Sequence, residues 1–227
     1  MTGDRSAQVA AVAALAEPTR RRLYDHVVRQ AAPVSRDDAA GALGVPRPTT
    51  AFHLDRLVAD GLLEVHFERR TGRSGPGAGR PAKLYRRAGC AVEVSFPERR
   101  YDLAGDLLAG ALEQAEDTGA SPRSVLGARA RARGRELGAA AREGAAPREA
   151  VVAALEGAGF EPRAEDGVAL ANCPFHALVT AHTELVCGMN LHLLEGVLEA
   201  VPDTGWVARL APAAGRCCVR LEPAEAP

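Results

Sequence analysis

Thiols are the side chains of this sequence best suited to chemistry. Four of the five cysteines fall in the last third of the chain: Cys173 in the run Asn-Cys-Pro-Phe-His, Cys187 in an apolar helical pattern, and the adjacent Cys217 and Cys218. An odd number of cysteines, without a cleavable signal pattern over the first ten residues, argues for metal or redox chemistry rather than a disulfide scaffold. Pro174 puts Cys173 at a helix start, where the positive end of the helix dipole favours a thiolate. Cys187 aligns with Leu191, Leu194 and Leu198 on the buried stripe of a helix expected from Glu184 to Ala200. A strand is expected over 215–221; its alternation turns Cys217 inward with Val219 and Leu221, and Cys218 outward with Arg220 and Glu222. Three thiolates from a helix start, a helix face and a strand suit a metal cluster better than a zinc knuckle, whose ligands come in close pairs. By spacing alone, cluster ligation, ordinary buried cysteines, zinc and a thiol switch all stay open. Cys90 stands apart and reads as a packing or surface thiol. A cysteine nucleophile with His176 or His182 as base lacks an orienting carboxylate or an oxyanion glycine motif nearby, so the chain is read as a non-enzyme.

The elements before this region point to a polyanionic partner. Residues 1–100 carry 17 Lys+Arg against 11 Asp+Glu, a balance of +6; the remainder carries 28 − 17 = 11 against 29 − 11 = 18, or −7. Helices are expected from Ala7 to Leu15 and from Pro18 to Arg29, then a short one opened by an N-cap at Ser35 and stopped at Gly44. The stretch Arg47 to Val58 wound as a helix turns Ala51, Leu54 and Val58 to the core. It presents Thr49, Phe52, His53 and Arg56, with Arg47 and Thr50, to a major groove. Strands at Leu62 to Glu68 and Leu84 to Arg87 bracket a Gly-rich basic loop, the form of a wing. Residues 67–87 hold seven cations, Arg69, Arg70, Arg73, Arg80, Lys83, Arg86 and Arg87, against the single acid Glu68, so this stretch is the strongest candidate for phosphate contact.

Here the residues resemble known families. Ser35 to Leu63, with Thr-Thr-Ala-Phe-His-Leu-Asp-Arg-Leu in the recognition position and Asp60-Gly61-Leu62-Leu63 closing it, is similar to the winged helix of ArsR-type regulators. The Gly-Arg-Pro-Ala-Lys-Leu-Tyr wing at 79–85 resembles the branch containing SufR-type iron-sulfur transcriptional regulators. So do Asn-Cys-Pro-Phe, Leu-Val-Cys-Gly-Met-Asn and Gly-Arg-Cys-Cys, which match the three-cysteine sensor region of that family. The resemblance implies a [4Fe-4S] cluster with Cys173, Cys187 and Cys217 as ligands. Its fourth position falls to His176, His182, Glu184, Cys218 or solvent. It further implies a repressor whose DNA affinity follows redox, nitric oxide or iron-sulfur status.

Between these ends, Glu98 to about Glu116 reads as a helix whose seam of Tyr101, Ala104, Leu108, Ala111 and Ala115 suits close helix approach and dimerisation. Ser121 to Arg142 alternates Arg and Ala and reads as a solvated bridging helix. A helix from Pro147 to Gly157 and a hairpin around Glu165-Asp166-Gly167 lead to Cys173. The expected fold is mainly α with small β elements: a winged helix-turn-helix domain at 1–95, dimerisation helices at 96–145 and an α+β cluster-binding domain at 146–227. The expected partners are double-stranded DNA with a palindromic operator and a second copy of the chain. No apolar run reaches the roughly eighteen residues of a membrane span, and the expected location is the cytoplasm. The competing expectation is a winged-helix repressor whose carboxy-terminal part binds zinc or a small organic effector.

Overall fold

The computed structural model describes residues 5–68, 81–89, 92, 94–165, 167–213 and 215–224. The chain divides into two compact units, Met1–Val94 and Ser95–Pro227. The wing loop at 69–80, with Arg69, Arg70, Arg73 and Arg80, lies outside the described residues, as does Cys90.

The first unit runs α1 (Arg5–Ala14), α2 (Pro18–Val28), β1 (Val34–Ser35), α3 (Arg36–Leu43), α4 (Arg47–Ala59), β2 (Leu63–Glu68) and β3 (Ala82–Arg87). Local chemistry sets its boundaries. The Glu17 carboxylate accepts from the backbone N–H of Thr19 at 3.0 Å and of Arg20 at 2.6 Å, capping α2. At α3 the Ser35 hydroxyl accepts from Asp38 N–H at 3.1 Å while the Asp38 carboxylate accepts from Ser35 N–H, a complete capping box. Gly44 ends α3 at φ +64°, the left-handed conformation that glycine adopts without steric cost. β2 and β3 pair antiparallel from Leu63↔Arg87 to Glu68↔Ala82, and β1 adds Val34↔Tyr85 on the far side of β3. Two residues are too few for an alternation signal, so β1 was absent from the sequence expectation. Leu23, Val27, Leu54, Leu57, Leu63 and Tyr85 form the core that holds α4 against the sheet.

The second unit runs α5 (Tyr101–Thr118), α6 (Pro122–Ala141), α7 (Pro147–Gly157), β4 (Pro162–Glu165), β5 (Gly167–Leu170), α8 (His176–Ala200), β6 (Trp206–Leu210) and β7 (Val219–Pro223). Its four strands form one antiparallel sheet in the order β4-β5-β7-β6. One core joins helices and sheet, through Leu107, Leu126, Leu155, Leu170, Phe175, Leu193, Leu194 and Leu221.

Two expectations are corrected here. Helix α6 is no solvated bridge: Val125, Leu126, Gly127, Ala130, Gly134 and Gly138 are buried, on a face packed on α8. The Arg-Ala alternation hid this face because glycine and alanine carry almost no hydrophobic signal, yet they let two backbones meet. A Cβ on Gly134 would strike Leu193 O, one on Gly196 would strike Arg131 O, and one on Gly138 would lie 2.7 Å from Val197 O. Two of its arginines pair with acids of α8, Arg131 with Glu195 and Glu199, and Arg135 with Glu199 at 3.1 Å, while Arg133 pairs with Glu136 of α6 itself. Secondly, Ala104, Ala111 and Ala115 of α5 are buried in the core of their own unit, so this seam is not left open to a second copy.

Candidate functional site

Two groups of side chains stand out, one in each unit. In the second unit, β5 ends at Leu170, and Asn172 then fixes the turn: its Oδ1 accepts from Glu161 N–H at 2.7 Å and its Nδ2 donates to Gly159 O at 2.8 Å. Arg99 donates to Cys173 O at 2.7 Å and the Arg100 N–H to Pro174 O at 3.1 Å, holding the cysteine segment from the other side. Helix α8 then begins at His176, earlier than the expected Glu184, and bends at His182, whose φ of −134° leaves the helical range. The apolar periodicity was clear only beyond this bend.

All four of Cys173, Cys187, Cys217 and Cys218 are free thiols. Cys217 is the neighbour that most affects the Cys173 thiol, and Cys218 is the thiol that acts most on Cys187. Cys173 and Cys218 are half-buried, Cys217 and Cys187 buried. The inward turn of Cys217 agrees with expectation, at 2% exposure, although the residue precedes β7 instead of lying within it. Cys218 departs from it. Because strand geometry starts only at Val219, the alternation that would have turned Cys218 outward does not apply, and its thiol acts on Cys187.

The environment separates the thiols electrically. The Cys217 thiol, opposed by burial and helped by the Phe175 backbone and the Arg99 charge, lowers Cys173 to about 7. Burial, with Cys218 beside it, pushes Cys187 up to about 12. Cys217, acted on by Cys173 and buried, is also raised. Asn190, one turn beyond Cys187 and 1% exposed, donates through Nδ2 to Cys217 Sγ at 3.1 Å, while its buried Oδ1 finds no partner among the described residues.

Of the expected fourth donors, His176 lines a cavity of about 220 Å³ that opens on Cys173 with Arg99 and Arg216. His182 and Glu184 are exposed, and Glu184 faces Arg123 at 4.0 Å. Among the described residues no group of three or more His, Cys, Asp or Glu side chains is placed to hold a metal ion. What the thiols have in common is donor chemistry alone: sulfur side chains from three segments, with the Asn190 amide donating to one of them.

In the first unit, α4 exposes Arg47, Thr49, Phe52 and Arg56. Arg47 pairs with Asp37 through a 3.0 Å hydrogen bond at the surface, where such a pair exchanges readily for a phosphate or a base edge, and Arg56 pairs at 2.8 Å with Asp60, whose side chain is largely buried. Thr50, expected to face the groove, is fully buried, and its hydroxyl donates to Val45 O at 3.4 Å. Position 50 lies one turn before Leu54 and two before Leu57, which pulls it under the helix. His53 is drawn aside as well, its Nδ1 accepting from Arg20 Nε at 3.4 Å and lying 3.6 Å from Glu17, so it ties α4 to α2. Phe52, expected on the outward face with Thr49 and Arg56, is 65% exposed. Lys83 and Tyr85 of β3 both reach Asp55, at 2.6 and 2.8 Å, fixing the helix against the wing strands.

With this geometry in view, a family model described as a helix-turn-helix domain matches residues 15–66, which span α2 to most of β2. Searches of curated proteins and of solved structures return no match. The match supports a DNA-binding transcriptional regulator with a winged helix-turn-helix unit. No helix among the described residues is long and apolar enough to cross a membrane.

Proposed function

We propose that the chain is a homodimeric winged-helix repressor whose affinity for a palindromic operator is set by a [4Fe-4S] cluster on Cys173, Cys187 and Cys217. One observation carries the reading: four free thiols come from three separated segments of the second unit, and the buried amide of Asn190 donates to one of them, Cys217 Sγ, at 3.1 Å. When bound, the cluster supplies a centre that oxidants, nitric oxide or iron shortage can dismantle. The chain does the rest. Cys173 tethers the turn before α8, Cys187 tethers α8, and Cys217 tethers the segment before β7, so common ligation draws α8 toward the sheet. Asn190 Nδ2 offers a hydrogen bond to ligand sulfur, and the fourth position falls to Cys218, His176, His182, Glu184 or solvent. In the first unit Arg47, Thr49, Phe52 and Arg56 face base edges, and the cations of 67–87 supply phosphate contacts. Two copies would present two such helices to the halves of a palindrome.

The test is anaerobic purification with iron, sulfide and zinc analysis, followed by operator titration with and without the cluster. Brown protein containing iron and sulfide, binding DNA roughly 5- to 150-fold more tightly than its apo form, is expected. Colourless protein containing zinc, or no metal, would replace this reading with the zinc or organic-effector repressor.

A further inference from the structure

We infer that the cleft between α5 and α6 is a binding site for a free aliphatic amino acid in its zwitterionic form, Arg129 taking the carboxylate and Asp106 the ammonium group. The inference does not rest on the cluster reading, since no cysteine lines this cleft. The cavity measures about 390 Å³, within the roughly 300–1,000 Å³ of small-molecule sites. Its charged lining is balanced, three arginines against three acids, and two of each answer one another: Arg100 pairs with Asp102 at 3.2 Å and Arg133 with Glu136 at 2.7 Å. Arg129 and Asp106 are left over, and among the described residues neither makes a hydrogen bond or an ion pair.

Arg129 owes its position to space and not to an acceptor. Gly110 of α5 makes the room, because a Cβ there would fall on the Arg129 guanidinium. The Nε of Arg129 is buried without a partner among the described residues, so the charge sits between the helices uncompensated and the two Nη groups remain for a ligand. A carboxylate laid across them makes two parallel charge-assisted hydrogen bonds. Asp106 stands one turn before Gly110 on α5, on the same side of the helix but out of ion-pair reach of Arg129. A simple anion would satisfy Arg129 and be repelled by Asp106, and a simple cation would do the reverse. A molecule carrying both charges satisfies both. Leu103, Leu107 and Ala132 complete the lining and offer apolar surface to an aliphatic side chain. So seated, the ligand bridges α5 to α6.

The experiment is calorimetric titration of the full-length chain with L-valine, L-leucine and L-isoleucine, each beside the carboxylic acid that lacks its amino group. Iron and sulfide are measured on the same sample, which reads the cluster separately. At least one of the three amino acids is expected to saturate at one molecule per chain, with its deamino acid about 2- to 5-fold weaker because Asp106 is exposed. Arg129→Gln should weaken the amino acid by roughly 10- to 100-fold. Asp106→Asn should erase the preference for the amino acid over its deamino acid, a change of selectivity that a loss of fold does not produce. The inference is overturned by the absence of saturation with all three amino acids, by a deamino acid that binds the wild type as tightly as its parent, by unchanged binding in Arg129→Gln, or by a preference that survives Asp106→Asn.

Discussion

Replacing Gly134 by alanine tests whether α6 and α8 meet backbone to backbone. The new methyl would fall on Leu193 O and lie 2.9 Å from Val197 N, both main-chain atoms that no rotamer change can move aside. Restoring ordinary contact at about 3.5 Å requires the helices to part by about 1.5 Å, loosening the contacts of Val125, Leu126 and Ala130 as well. Overpacking of this kind costs about 3 kcal/mol, against which alanine returns about 1 kcal/mol of helix propensity over glycine. The net loss is about 2 kcal/mol. Trp206 is the only tryptophan and lies in the same unit, so urea unfolding followed by its fluorescence reports on this packing. With a slope of about 2 kcal/mol per molar, the midpoint should fall by about 1 M. Heating should show a drop of about 4–8 °C. Gly105→Ala is the control: it lies in α5 with nothing within 4 Å of an added Cβ, so the midpoint should rise, by about 1 kcal/mol in stability. A Gly134→Ala protein as stable as Gly105→Ala would refute the close approach.

Ser35→Ala removes the capping box of α3 and should cost the first unit about 1 kcal/mol, read by circular dichroism during urea unfolding of the full chain. Arg56→Ala should change sequence preference, weakening binding at particular base pairs by about 1–3 kcal/mol while leaving random DNA unaffected, as measured against a substituted operator series. Phe52→Ala should act in the same way at thymine positions, and uracil in place of thymine should mimic it. Arg70→Ala and Arg73→Ala should instead weaken binding to all DNA alike and each lower the salt slope by about one. Burial alone would raise Asp55, but hydrogen bonds from Lys83 and Tyr85 outweigh it and hold the carboxyl below its ordinary range. Stability from this pair is present above the ordinary aspartate range and is lost as pH falls through the lowered value, so Asp55→Asn should flatten the acid limb of the first unit's stability profile.

Much of the first unit was legible because its signals are local. Ser35, Asp38 and Gly44 announce a helix by capping chemistry, and the basic loop between two apolar runs announces a hairpin. What could not be read was the rotation of α4: Leu57 belongs to the core, and it carries Thr50 beneath the helix with it. In the second unit most helices were legible from apolar period, and Cys217 is buried as expected although it precedes β7, so strand alternation is not what buries it. The role of α6 was not legible, since a glycine face leaves no hydrophobic mark, and neither was the action of Cys218 on Cys187, which depends on where β7 begins. Spacing along the chain carries no distance between sulfurs.

The glycine contact has a mechanical consequence for α8. Beyond Gly196 and along Leu193 and Val197 the helix is keyed into its neighbour and can neither slide nor turn alone. Any tension applied to Cys187 has no give on that side. Compliance is left at His182, where the helical geometry is already interrupted, so the opening turns from His176 form the lever arm of this unit and the remainder its fulcrum.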